Sequence, residues 1–228
     1  MGLGDNLMAT GMARGARERG TTIAFGDGQR IIWDHNSEIV FRNNPNIARP
    51  GHDLSNATWI AFYKGHRIYN VQDSARDRWV WNMEFRPEPG EMFFEPDELS
   101  FAKRFSTNQI IIEPNVAEKM SGPNKLWPLD RYQRLSEWLR RDGYEVAQFE
   151  YPGIRRYLRN VQLLPVRNFR QALLALRKAR LVICSEGGLH HGAAAMGTRA
   201  VVLFGSFIPP QVTGYDFHEN VAVGQVCG

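Results

Sequence analysis

Short apolar runs alternate with amphipathic stretches through the second half of the chain. QIIIE (109–113) is a continuous apolar run of the kind a buried parallel strand requires. LDRYQRLSEWLRRDG (129–143) sets Leu129, Tyr132, Leu135, Trp138 and Leu139 three or four residues apart, which predicts a helix ended by Gly143. YEVAQF (144–149) and VQLLP (161–165) read as strands, and FRQALLALRKA (169–179) reads as a helix. LVICS (181–185) is a further strand, GGLHHGAAAMG opens a helix, and RAVVLFG (199–205) is the next strand, with NVAVG strand-like beyond it.

The first half is patterned less sharply. NLMATGMARGARER (6–19) predicts a helix with Leu7, Met8 and Met12 on its apolar face and Arg14, Arg17 and Arg19 near its end, stopped by Gly20. TTIAFG (21–26) and WIAFY (59–63) predict strands, 31–42 a helix, 79–85 a strand, and a helix runs from near Asp97 to Phe105. Residues 64–100 otherwise carry little periodicity. Strands alternating with helices imply right-handed crossovers and a parallel sheet covered on both faces. The expected fold class is therefore α/β, with a domain over 1–105 and a Rossmann-like domain over 106–228.

Composition narrows the setting. The 228 residues are 43% hydrophobic and 23% charged, ordinary for a globular chain able to bury a core. Lys and Arg number 28 against 24 Asp and Glu, a net charge of +4 with no concentrated footprint for nucleic acid. Arg14/Arg17/Arg19 and Arg155/Arg156/Arg159 read as solvated clusters able to meet an anionic membrane surface or a phosphorylated ligand. Two cysteines, Cys184 and Cys227, give no disulfide framework and suggest a cytoplasmic setting. No apolar run is long enough to span a membrane, and the first 20 residues lack a signal-peptide core.

The chemistry concentrates after LVICS. Glu186-Gly187-Gly188 falls at the carboxyl end of a predicted parallel strand, where ligands of open α/β sheets bind. Glycine permits a tight turn and close approach of a phosphate, and the first turn of the following helix offers free N–H groups and partial positive charge. His190 and His191 point about 100° apart on a helix, so they are no i, i+4 metal pair. At least one is expected at the surface or in packing; the other suits a hydrogen bond to a phosphate or sugar. On glycines alone, a plain strand-to-helix connection is the simpler reading.

Four segments together resemble glycosyltransferase family 9, the heptosyltransferases. Glu186 to Ala194 is similar to the family's D-[ST]-G-x-x-H-x-A-A, with Glu186 for Asp, Gly187 for Ser or Thr, and Gly188 and His191 matching. Phe204 to Gly214 resembles F-G-P-T-x-P-x-x-T-G, Lys125-Leu126-Trp127-Pro128 resembles K-R-W-P, and Leu3-Gly4-Asp5-Asn6-Leu7 resembles L-G-D-x-L. The resemblance implies a GT-B fold, two Rossmann-like domains with parallel sheets facing across a cleft. The chain is short at both ends for that fold, so the N-terminal sheet is expected to lack its usual first strand. The implied reaction is an inverting, metal-independent transfer of a sugar from a nucleotide-diphosphate donor to a hydroxyl of a glycan or lipid-linked acceptor, in surface glycan or lipopolysaccharide synthesis.

The resemblance makes Asp5 the catalytic base, although an aspartate there is also a natural helix N-cap. Gly4 and Asn6 fall on the acceptor side. Lys125, with Lys119 as competitor, is expected to neutralise the leaving diphosphate, and Gly187, Gly188 and Leu189 to donate amides to it. Glu186, His191, Ser206 and Thr213 complete the donor-binding set. No cofactor or metal is called for: the chain has no D-x-D, and Glu95-Pro96-Asp97 suits a helix start. The competing reading is a non-catalytic nucleotide- or glycan-binding module on the same scaffold. A nicotinamide-dependent oxidoreductase is disfavoured, because Gly2-Leu3-Gly4 lacks the third glycine and residue 7 is leucine.

Overall fold

The computed structural model describes residues 1–117 and 122–222; Lys119 and Cys227 lie outside the described residues. The second half holds a six-stranded sheet of β6 (Gln109–Glu113), β7 (Glu145–Glu150), β8 (Gln162–Pro165), β9 (Leu181–Ser185), β10 (Ala200–Phe204) and β11 (Glu219–Ala222). Every neighbouring pair is parallel, in the order β11-β10-β9-β6-β7-β8. The chain starts in the middle at β6, builds outward to β8, then returns to β9 on the other side of β6. That places the topological switch point between β6 and β9, where Glu113 is the partner of Cys184.

The central strands are buried on both faces, which is why they read as continuous apolar runs. Helix α4 (Leu129–Arg141) covers one face through Tyr132, packed with Ile110, Ile112, Val146 and Ile183. Helices α5 (Phe169–Leu176) and α6 (Gly188–Ala195) cover the other. Predicted and observed elements agree here to within three residues. Pro128 is the N-cap of α4, and Trp127 packs edge-on against Tyr132 at 4.8 Å.

The first half contains α1 (Leu3–Ala13), α2 (His35–Phe41), α3 (Pro96–Phe101), a parallel pair β1 (Thr22–Gly26) and β2 (Ala57–Ala61), and an antiparallel ribbon of β3 (His66–Arg67), β4 (Asn70–Asp73) and β5 (Arg78–Trp81). Helix α1 starts three residues before the predicted point. Gly2 is its N-cap, and Asp5, at the third helical position, reaches back to accept the Gly2 N–H at 2.9 Å. The helix ends at Ala13, before Gly15 takes a left-handed φ of +67°, so the arginines lie beyond it. They are not simply solvated: Arg14 donates to the Pro89 carbonyl and pairs with Glu91, and Arg156 donates to the Pro114 and Trp127 carbonyls.

One apolar cluster runs through both halves, joining Leu7, Met8, Phe25 and Phe41 to Leu173, Leu176 and Val202. A buried cation ties the same seam. Arg170 of α5 forks onto both carboxylate oxygens of Glu98 at 2.6 and 2.7 Å and donates to the Ile39 and Phe93 carbonyls. The Arg170 hydrogen bonds, above all, hold the Glu98 carboxyl below its ordinary range. Removing the guanidinium takes this donor from the Ile39 and Phe93 carbonyls and leaves the Glu98 carboxylate with only Arg42 and the Glu95 N–H. Arg170→Met is expected to lower the unfolding free energy by ~3–5 kcal/mol in urea titrations; a change under ~1 kcal/mol would show that solvent or neighbours replace the fork.

Candidate active site

The carboxyl edge of the six-stranded sheet meets the amino end of α1. Gly4 packs on α6 so closely that a Cβ there would lie 2.7 Å from His191 Cδ2 and 3.3 Å from the Gly188 Cα. Two helix N-termini, each with unsatisfied N–H groups, are thereby brought side by side. Gly187 enters α6 with φ +151° and ψ −157°, a region open essentially to glycine alone. Its N–H faces His190 Nδ1 at 3.3 Å. The Gly188 and Leu189 N–H groups have no partner among the described residues.

Lys125 lies beside this mouth. Its Nζ stands 2.6 Å from Glu186 Oε2, with both side chains largely buried, and 5.4 Å from the centre of the Phe207 ring. The turn that carries it is fixed from two sides. Ser185 donates to the Lys125 carbonyl at 2.7 Å, and Gly205 runs against the neighbouring strand of backbone, where a Cβ would fall 1.8 Å from the Asn124 carbonyl oxygen. Ser206 follows with φ +67°.

Asp5 faces the antiparallel ribbon. Tyr69 donates to Oδ1 at 2.7 Å, while Oδ2 takes the Gly2 N–H and lies 3.6 Å from Arg67 Nε. Burial, then the nearby Asp5 charge, pushes the Tyr69 phenol well above its ordinary value, so it stays protonated and donates. Arg67 stacks on Trp79 at 4.6 Å, Tyr69 on Trp81 at 6.1 Å, and Trp81 meets Phe207 edge-on at 5.5 Å. Asp5 and Lys125 thus belong to one continuous chain of contacts through Tyr69, Trp81 and Phe207.

Other sequence candidates sit deeper. Asn6 is fully buried and donates to the Gly2 carbonyl, and Gly4 serves the helix contact. Both histidines are buried, so neither is at the surface. The Thr213 carbonyl lies 2.8 Å from His190 Nε2, and His191 Nδ1 meets the Tyr215 hydroxyl at 3.0 Å. Burial pushes His190 down to about 3 and His191 well below its usual range, so both rings are neutral. Thr213 is 1% exposed and Oγ1 has no partner among the described residues. Glu186, His190 and His191 bring ligand atoms within 4.8 Å of one another. A cation there would have to displace Lys125 from Glu186 and either the Gly187 N–H or the Thr213 carbonyl from His190, while His191 has only Nδ1 engaged, by the Tyr215 hydroxyl.

One residue at the switch point was not singled out in the sequence. Glu113 ends β6 with its carboxyl buried: Oε1 accepts from the Asn115 N–H and side chain, and Oε2 has no partner among the described residues. Burial pushes its pKa up to about 7, against the Asn115 hydrogen bonds that lower it. A glutamate after an apolar run reads as the solvent end of a strand, so only the fold shows it is enclosed.

The family model for glycosyltransferase family 9 (heptosyltransferase) matches residues 78–225, well over half of the chain. No curated protein matches. Among solved structures, a glycosyl transferase family 9 protein from Veillonella parvula DSM 2008 is 13% identical with a TM-score of 0.61, covering 98% of this chain and 84% of its own. ADP-heptose lps heptosyltransferase II of E. coli is 20% identical with a TM-score of 0.45; 68% of this chain covers 50% of it. The TibC glycosyltransferase of enterotoxigenic E. coli, described as iron-containing and dodecameric, is 14% identical with a TM-score of 0.46, over 83% of this chain and 53% of its own. The chain spans about half the length of the last two.

Because the folded state holds the Glu113 proton more tightly than the unfolded chain, this carboxyl stabilises the fold fully below about pH 4.5 and loses that contribution as pH rises toward 7. Glu113→Gln is expected to flatten thermal stability between pH 4.5 and 7 and to raise the melting temperature at pH 8. An unchanged pH profile would show that Glu113 is hydrated.

Proposed function

The chain belongs to glycosyltransferase family 9, and from that membership, which makes it a glycosyltransferase on a GT-B-like fold, we propose an inverting transfer from a nucleotide-diphosphate sugar. The observation that supports this reading is the mouth itself: a cation and two free helix N–H groups converge where an α/β sheet takes a phosphorylated ligand, beside an aspartate from the opposite half. The diphosphate lies on the Gly188 and Leu189 amides with Lys125 beside it. Glu186, in the place of the family's Asp, positions Lys125 rather than binding the ligand.

In the reaction, Asp5 takes the proton of an acceptor hydroxyl, whose oxygen attacks the anomeric carbon from the side opposite the diphosphate. The carbon–oxygen bond to the diphosphate breaks, and the electron pair leaves on it, stabilised by Lys125 and the α6 amides. No metal is required in this scheme because Lys125 already supplies the compensating charge, and it occupies the one carboxylate a cation would use. Surface glycan or lipopolysaccharide synthesis is the setting, with a glycan or lipid-linked acceptor met at the cytoplasmic face of an anionic membrane. No helix among the described residues is long and apolar enough to cross a membrane.

A non-catalytic binding module remains the second reading, favoured by one observation: both oxygens of Asp5 are already engaged, by Tyr69, Gly2 and Arg67. Two variants separate them. Lys125→Ala is expected to weaken nucleoside-diphosphate binding at least tenfold by calorimetry, the loss of a charge-assisted contact. Asp5→Asn is expected to keep nucleotide binding and lose transfer or donor hydrolysis by at least 100-fold, in the range of general-base removal. Binding without turnover in the unaltered protein selects the module; full turnover in Asp5→Asn removes Asp5 from the chemistry.

A further inference from the structure

A cavity of about 740 Å³ opens at the carboxyl ends of β7 and β8, bounded by Glu150 and Pro165 where those strands finish. Adjacent strands lie about 4.8 Å apart, so β7 is about 10 Å from β9, the reach from a phosphate at the α6 mouth toward the far side of a nucleoside. Aromatic rings of Phe101, Tyr151 and Tyr157 line the cavity, and Tyr157 is 46% exposed. Such rings offer stacking faces for a base.

The charged groups in it are uncommitted. Arg104 rests over the Phe101 ring at 5.1 Å, and neither it nor the Arg167 guanidinium makes a hydrogen bond or ion pair with another described residue. The Glu150 carboxylate likewise has no such partner; the main-chain carbonyl of Glu150 accepts the Val166 N–H. Gln171 accepts the Arg167 N–H on Oε1, which leaves its amide donor. The cavity therefore presents donor-only guanidinium groups together with an acceptor-only carboxylate.

That set discriminates among bases. Guanine shows two acceptors, O6 and N7, on one edge, which a guanidinium reads with two bonds. Its N1–H and N2 amino group, on the next edge, are donors that a carboxylate accepts. Adenine places an amino donor where guanine has O6, so a guanidinium meets it donor to donor. Uracil has carbonyl acceptors but a smaller face to stack. Resting on the donor reading above, we propose that the site selects a guanosine-diphosphate sugar, with an arginine of the pair Arg104 and Arg167 on O6 and N7 and Glu150 on N1 and N2.

Calorimetric titration of the full chain with GDP, ADP and UDP tests this. GDP is expected to bind at least tenfold more tightly than ADP or UDP, the worth of one good bidentate base contact. Glu150→Gln and Arg167→Met are each expected to erase most of that preference while ADP binding stays the same, which a merely folding-related defect would not do. Equal affinities, or a preference for ADP or UDP, overturn the guanine assignment and leave the diphosphate site standing. No heat with any of the three overturns the donor reading beneath it.

Discussion

The architecture depends on a contact between two glycines. Gly4 and Gly188 have no side chains to separate them, so the first turn of α1 lies against the first turn of α6. The contact does two things. It sets two positive helix ends together at the carboxyl edge of the sheet, and it fixes Asp5, one residue further on, within reach of the same space. A methyl group at Gly4 would meet the His191 ring, which is itself held by Tyr215, so the clash could not be relieved cheaply.

Around that contact the molecule supports the mouth rather than filling it. Glu186 holds Lys125, Ser185 and Gly205 hold the turn that carries it, and Trp81 and Phe207 close the gap to the ribbon that holds Asp5. The halves are not free to drift apart, because the apolar cluster is continuous and Arg170 joins Glu98, Ile39 and Phe93 across the seam. A buried guanidinium with all its partners supplied is stable; the same group with any partner withdrawn is costly.

Much of the second half was legible because buried parallel strands and amphipathic helices impose strong periods on sequence. QIIIE and LVICS are buried on both faces, and Tyr132 and Leu135 fall on the inner side of α4. The ribbon was poorly legible for the opposite reason. Its strands are two to four residues long and half exposed, and RWVW alternates for only two periods. The start of α1 was misplaced because its cap is a backbone N–H bound by a carboxylate three residues on, not a side chain at the cap. Both histidines are buried by groups more than 20 residues away, Thr213 and Tyr215, and Arg170 meets Glu98 across 72 residues. Such partners leave no local trace. The motif segments do come together in the fold: Asp5, Lys125, Glu186 and Gly188 meet at one mouth, while Asn6, His191 and Thr213 lie behind it.

We propose that a diphosphate rests on the open amides of α6 beside Lys125. Titrating isotope-labelled protein with inorganic pyrophosphate, and following each backbone amide by NMR, reads that contact without any sugar or base. The Gly188 and Leu189 amide signals are expected to move downfield together, saturating at one affinity, with Lys125 perturbed alongside. Saturable shifts confined to other surfaces, or silence at these two amides, would contradict it.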